Sequence, residues 1–312
     1  MDCNFGLFGP LLVTGIILGL IYSLIALGYT MVYGVLKLIN FAHDAIFMIG
    51  AASLFYLFGS WLGWDHSFTG IGLGLVLIVG FVASGLASGG SAVLLERLAY
   101  RPLRRRGAAR LSFLIAAVGA SFFITYLFQQ EFLLGTREHG FPAIMETQKA
   151  VTVLGATVNN RRVLAVVIAI AMFIFLDFFV RKTRTGRSIR AVAQDIDAAR
   201  LMGVNVDRVV ATTFFVGGFF GGVAGFLYGM VFSKVAWNLG FFPGIKAFTA
   251  AVLGGIGNIR GALLGGLALG LIENLSTVCI GSEWKNPIAF SVLVLVLVFR
   301  PNGILGEGLS AR

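Results

Sequence analysis

Cysteine, histidine and acidic side chains are scarce in this chain, with 2 Cys, 3 His and 14 Asp plus Glu among 312 residues. Cys3 and Cys279 make neither a disulfide framework nor a metal-ligand spacing. No Gly-Lys dipeptide occurs, so there is no G-x4-GK[ST] phosphate loop and no means of holding ATP of that kind. H-E-x-x-H and Gly-x-Gly-Asp are absent, and a Ser–His dyad at membrane depth has only His43 to draw on, since His66 and His139 fall in expected outside loops. No catalytic, cofactor-binding or metal-binding constellation is therefore expected. Charge is also sparse, at 12% of residues against 58% hydrophobic, with a mean hydropathy of +0.91. Soluble domains sit near 45–50% apolar and about 25% charged, so lipid is the expected solvent for much of this chain. Proline is rare and glycine abundant, at 6 and 42 residues, which suits membrane helices that pack backbone to backbone.

A net charge of +10 suggests nucleic acid until its placement is read. Arg97, Arg101, Arg104, Arg105, Arg106 and Arg110 crowd one short segment. Arg181, Lys182, Arg184, Arg187, Arg190, Arg200 and Arg208 mark a second. Between apolar spans such clusters mark cytoplasmic loops, about 96–110 and 181–208, so no nucleic-acid partner is expected. Apolar runs long enough to cross a bilayer lie at Leu7–Tyr33, Ile46–Trp64, Ile71–Leu95, Leu111–Phe128, Val163–Val180, Val209–Phe232 and Ile288–Phe299, the last extending toward Ile304. A further stretch, Ile245–Leu275, is interrupted at Gly257–Gly261 and is expected to be a re-entrant broken helix, the polar break lying at membrane depth. The expected fold is an all-α polytopic membrane protein of about seven to eight transmembrane helices, with the N-terminus outside and the C-terminus in the cytoplasm. The start of the chain lacks a basic n-region and an obvious cleavage site and is expected to be mature protein. Gln129–Arg162 then lies outside, where Arg161 and Arg162 run against the charge rule.

Gly217, Gly221, Gly225 and Gly229 recur every four residues, widened by Gly218 and Gly222. A face of small residues lets a neighbouring backbone approach closely, either inside one subunit or at a subunit interface. Ser188–Gly203 carries helical apolar spacing but is too polar to span. It fits either a cytoplasmic helix docking into a groove on a partner or a helix lying on lipid.

In that segment Ile196-Asp197-Ala198-Ala199 followed by Gly203 resembles the EAA-x3-G motif of ABC-importer permeases, with Asp in place of Glu. Gly28-Tyr29-Thr30-Met31-Val32-Tyr33-Gly34, Ile39-Asn40-Phe41-Ala42-His43 and Met48-Ile49-Gly50 extend the likeness, as do Lys246–Gly257, Gly261-Ala262 and Arg300–Gly306. Together they resemble the LivH-like permease subunits of branched-chain amino-acid ABC importers, over nearly the whole chain. The usual downstream I-x-LP element is absent. Asp44-Ala45 stands where the family commonly has Gly and then an acid, which leaves a family role for that acid open. The resemblance implies a single transmembrane permease domain over residues 1–312 in a bacterial inner membrane. It also implies a second related permease, two ATPase subunits that bind ATP and Mg2+, and a periplasmic substrate-binding protein. The motif at Ile196, Asp197, Ala198, Ala199 and Gly203 would be the ATPase-coupling helix.

Asn40, His43 and Asp44 lie between two apolar runs, where polar groups either line an aqueous path or gate, or sit in an interfacial loop. Thr249, Gly257 and Asn258 could line the same path, or the glycines could simply let the chain turn. An ion-coupled secondary transporter is the main alternative, yet acids suited to it are few, with Asp177 near a cytoplasmic end and Glu273 near an outer one. Related permeases for urea or short amides are a further alternative.

Overall fold

The computed structural model describes residues 5–63 and 67–306; Cys3, the expected span end Trp64, His66 and Arg312 lie outside the described residues. The chain begins with α1 (Phe8–Leu36), which ends where Lys37 turns left-handed at φ 54°. Then come α2 (His43–Leu54), widening into a π-turn to Trp61, and α3 (Gly70–Leu95), running through a second π-turn into α4 (Arg101–Arg105). α5 (Arg110–Phe128) leads to β1 (His139–Gly140), β2 (Lys149–Val153) and β3 (Ala156–Asn159). α6 (Asn160–Lys182), α7 (Arg184–Gln194), α8 (Ile196–Leu201) and α9 (Val206–Phe232) follow. The chain closes with β4 (Lys234–Val235), α10 (Phe241–Gly254), α11 (Ile259–Ile280) and α12 (Lys285–Phe299). β2 and β3 form a hairpin, while β1 pairs antiparallel with β4 and so ties the long loop after α5 to the connection after α9.

Among the described residues 8 helical segments are long and apolar enough to cross a membrane. The chain is an all-α polytopic membrane protein. α1 and α9 are largely buried, whereas α3, α5, α6 and α12 present Ile71, Phe123, Ile174 and Val298 outward, as lipid-facing helices do.

Glycine contacts fix how the central helices lie. Gly15 meets the Gly270 carbonyl and Gly19 meets the Gly266 carbonyl, so α1 and α11 run antiparallel with their backbones touching. Gly217 faces Gly28, Gly221 faces His43, Gly225 faces Phe47 and Ala51, and Gly229 faces Phe141. The same helix turns Gly218 and Gly222 onto Ser84, Ser88 and Gly89 of α3. Every glycine of that stripe meets this chain's own residues.

The interrupted stretch differs from the expectation in where its break falls. Gly255 (φ 103°) and Gly257 (φ 100°) reverse the chain between α10 and α11, and Asn258 caps α11 by accepting from the Arg260 and Gly261 N–H groups. The turn packs beside Gly34 near the end of α1 and against Asn302–Gly306, while Arg260 pairs with Asp177 at 3.7 Å. It therefore sits at an end of the bundle, and α11 alone is long enough to cross. The short helix is α10, whose 14 residues reach about 21 Å at 1.5 Å each, less than the ~30 Å of hydrocarbon. The chain reaches its start through the non-helical segment 233–240, and Gly240 is already pressed against Asp44 at the beginning of α2. Hydropathy cannot separate α10 from α11, because both are apolar and only four residues part them.

The amphipathic segment also divides. Asp195 leaves helical geometry (φ −152°, ψ 114°) and its carboxylate accepts from the N–H groups of Asp197 and Ala198, so α7 ends and α8 starts afresh. Cys279, in the last turn of α11, is disulfide-bonded, a covalent tie that the spacing alone does not reveal.

Candidate transport site

Two helix starts, those of α2 and α10, meet inside the bundle. Lys37 stops α1, and the chain doubles back so that α2 begins beside the middle of α1 and α9. Asn40 is buried and builds this return: its Oδ1 accepts from the Ala42 N–H at 3.2 Å and from the Tyr100 hydroxyl at 3.1 Å. The His43 ring is buried between Gly28 and Gly221 and meets Tyr29 edge-on at 4.8 Å. A side chain at Gly28 would occupy the place of that ring.

Asp44 follows in the first turn of α2. Its Oδ1 accepts from Ser121 Oγ of α5 at 2.8 Å, and Gly240 and Gly244 bring the start of α10 against it. Phe248, one turn further along α10, meets Tyr29 at 5.9 Å and Phe41 at 5.5 Å. Gly240, which precedes α10, and Gly244 and Phe248 on one face of it are thus turned to this site. The neighbouring Thr249 spends its hydroxyl on the Ile245 carbonyl, and Asn258 holds Leu305. Gly257 reaches Tyr33 and Gly34, so the turn after α10 lies near the end of α1 and away from Asp44. The structure therefore gathers Asn40, His43 and Asp44, and leaves Thr249, Gly257 and Asn258 apart from them.

Six acids lie within the candidate membrane spans, and four have a cation within 4 Å. Glu96 pairs with Arg101 and Arg104, Asp177 with Arg181 and Arg260, Asp207 with Arg104 and Arg105, and Glu273 with Lys246. Among the described residues the other two have none: Glu283, which is exposed in the 3-10 turn before α12, and Asp44, which is half-buried at the start of α2. The positive end of α2 stabilises a carboxylate there by ~0.3–1 kcal/mol, less than the several kcal/mol that dehydrating it costs.

Sequence reasoning missed the pair Lys246–Glu273. Its Nζ–Oε1 distance is 2.8 Å, with the side chains 8% and 2% exposed, and Lys246 Nζ stands 5.9 Å from the Tyr22 ring. Glu273 thus faces inward across the bundle. Asn274 beside it is buried and accepts from Lys285 Nζ at 3.0 Å. The signal available was two opposite charges in consecutive apolar stretches, since isolated intramembrane charges are costly.

At the arginine-rich end the helix ends are clamped. Glu96 is fully buried under Arg101 and Arg104, and Arg104 also holds Asp207 of α9 at 2.6 Å. Beyond this clamp α7 and α8 project. Ala199 is buried and Ile196 half-buried, while Asp197 and Ala198 are exposed and Leu201 and Met202 stand 89% and 84% exposed. Gly203 is left-handed at φ 81° with bonds from Gly203 N–H to Arg200 O and Val204 N–H to Ala199 O, the Schellman ending that a glycine permits. The motif's glycine is therefore needed for backbone conformation, and no atom lies within 4 Å of where its Cβ would be.

Helices interrupted within an apolar bundle, with an exposed apolar knuckle projecting at its arginine-rich end, fit a membrane transport permease, and sequence relationships agree. The chain belongs to the family described as branched-chain amino acid transport system / permease component, whose model matches residues 11–298. It is 39% identical over 298 residues to the high-affinity branched-chain amino acid transport system permease protein LivH of Escherichia coli, covering 94% of each chain. It is 38% identical over 303 residues to BraD, the corresponding permease protein of Pseudomonas aeruginosa, covering 95% of each. The xylose transport system permease protein XylH of Escherichia coli is 25% identical over 262 residues, 77% of this chain and 67% of that one. No solved structure matches.

Proposed function

We propose that this chain is the permease subunit of an ATP-driven importer that carries branched-chain amino acids across a bacterial inner membrane by alternating access. The observation that carries the reading is the 39% identity, spanning 94% of both chains, with a permease of that transport system. The chain itself performs no chemistry in this reading. ATP and Mg2+ belong to two ATPase subunits seated on α8, a second permease completes the pathway, and a periplasmic binding protein delivers substrate. Asn40, His43 and Asp44 belong to the route, with Thr249 on the neighbouring α10 and Gly257 and Asn258 in the turn that follows it.

The projecting knuckle supplies the test. Ala198 is exposed on α8 beside Leu201 and Met202, and a bulky cation there blocks close docking without touching the bundle. Ala198→Arg is expected to insert normally yet lose both ATPase copurification and substrate-stimulated ATP hydrolysis. Wild-type coupling in that variant would return α7 and α8 to the lipid surface.

A cytoplasmic position for α8 and the end of α12 is supported by the arginine-rich loops, since Lys and Arg collect on the cytoplasmic side. The disulfide at Cys279, at the opposite end of α11, fits an oxidising periplasm. Arg161, on the side where the charge rule disfavours it, is held by the Met145 carbonyl at 3.0 Å and by Ser233 Oγ at 2.9 Å, which accounts for its place. Single cysteines at Arg105, Arg187 and Asn302, with both native cysteines replaced, should be shielded from an impermeant thiol reagent added outside. One at Glu138 should react. Outside labelling at Asn302 would overturn this orientation.

A further inference from the structure

Asp44 is the one acid removed from full exposure within the spans that has no cation among the described residues, and it lies where α2, α5 and α10 come together. It is half-buried, as are Ser121, Phe41 and Phe248, so this patch is a wall of the bundle and not part of its packed centre. Toward one end the cleft between α5 and the 233–240 segment is bridged by Tyr126 and Trp237, whose rings are 6.0 Å apart. On the inner side Tyr29 places its hydroxyl beside Gly244, which itself abuts Asp44. A carboxylate, a serine hydroxyl and two phenyl rings thus share one partly open surface, with the buried Tyr29 hydroxyl behind it.

We infer that Asp44 binds the ammonium group of the transported amino acid, with Ser121 and Tyr29 beside it and Phe41 and Phe248 receiving the aliphatic side chain. The inference rests on the amino-acid reading above and adds the residue that recognises the charge. The geometry favours it for three reasons. The passing ammonium supplies the cation that, among the buried and half-buried acids of the spans, the fold withholds from Asp44 alone. Gly240 and Gly244 hold the acid against the half-length helix α10, so occupancy of the site and the position of α10 are linked. The phenyl rings offer apolar area within reach of the same acid, which a branched aliphatic side chain needs and a sugar or urea does not.

The test is uptake of labelled leucine by proteoliposomes holding the complete complex, with the binding protein supplied outside. Asp44→Asn is expected to lower uptake by at least about tenfold, the loss of one charged hydrogen-bonded contact. Asp44→Glu should retain a measurable part of it, and Ser121→Ala should raise the leucine concentration for half-maximal uptake several-fold. Should Asp44→Asn fail to assemble, Ser121→Ala and Tyr29→Phe decide, since neither removes a charge from the fold. Wild-type uptake in Asp44→Asn, or in both substitute variants, overturns the inference while leaving the amino-acid reading intact. A wild-type complex that takes up no branched-chain amino acid would instead overturn the reading on which it rests.

Discussion

Lys246→Met is expected to leave little folded protein, and Glu273→Gln somewhat more. The Lys246–Glu273 contact is 2.8 Å long and its carboxylate side chain is 2% exposed. Removing one partner of a buried pair costs about 3–5 kcal/mol because the other charge is left dehydrated. The two losses are unequal for a stated reason. Without Lys246 the Glu273 carboxylate has no cation, and its Oε2 already lacks a partner. Without the Glu273 charge Lys246 still stands 5.9 Å from the Tyr22 ring, worth about 0.5–2 kcal/mol. The neutral double variant Lys246→Met with Glu273→Leu should recover most of the folded yield, as replacement of whole buried pairs by apolar side chains often does. The yield of monodisperse protein and its thermal midpoint in detergent measure both statements. Single variants as stable as wild type would mean that water reaches the pair.

Gly222→Leu is expected to be as damaging, for a steric reason. A Cβ at Gly222 would lie 2.4 Å from the Ser84 carbonyl oxygen and 2.5 Å from Ser88 Oγ. A Cβ at Gly50 would lie 2.2 Å from the Gly222 carbonyl oxygen. The Ser84 carbonyl is backbone of a packed helix and Ser88 Cβ, 2.5 Å away, is fixed to it, so neither yields as the far end of a flexible side chain does, and the Gly50 contact shows that α2 presses on the same stretch of α9. Overpacking of this kind costs about 1–3 kcal/mol even when neighbours shift, and here α2, α3 and α9 must separate. Gly90→Ala on α3 is the internal control, because nothing lies within 4 Å of its Cβ position. Its thermal midpoint should hold or rise slightly, since alanine is the better helix former. Equal stability of the Gly222 and Gly90 variants would contradict the close α3–α9 packing.

The long spans were legible because a crossing helix needs about 20 apolar residues and hydropathy reports that directly. The expected Leu7–Tyr33 and Val163–Val180 appear as Phe8–Leu36 and Asn160–Lys182. α10 was not legible as a half-length helix, because its start is set by the approach of Gly240 to Asp44, a contact between residues far apart in the chain. The Lys246–Glu273 pair stayed hidden for a similar reason: its partners lie 27 residues apart on different helices, and no spacing rule joins them. The break at Asp195 was readable in principle, since an aspartate before Ile196-Asp197-Ala198 is a favoured N-cap. At the site, the polar run Asn40–Asp44 was visible in sequence, but not that Asn40 is bound to Tyr100 while Asp44 faces Ser121.

The most direct test of the account is uptake of labelled leucine by proteoliposomes that contain this chain with its partner permease and ATPases, with binding protein outside and ATP inside. The account predicts ATP-dependent accumulation that disappears in the Ala198→Arg complex and in the absence of ATP. Accumulation driven by an ion gradient without ATP, or full ATP-driven uptake when this chain is omitted, would contradict it.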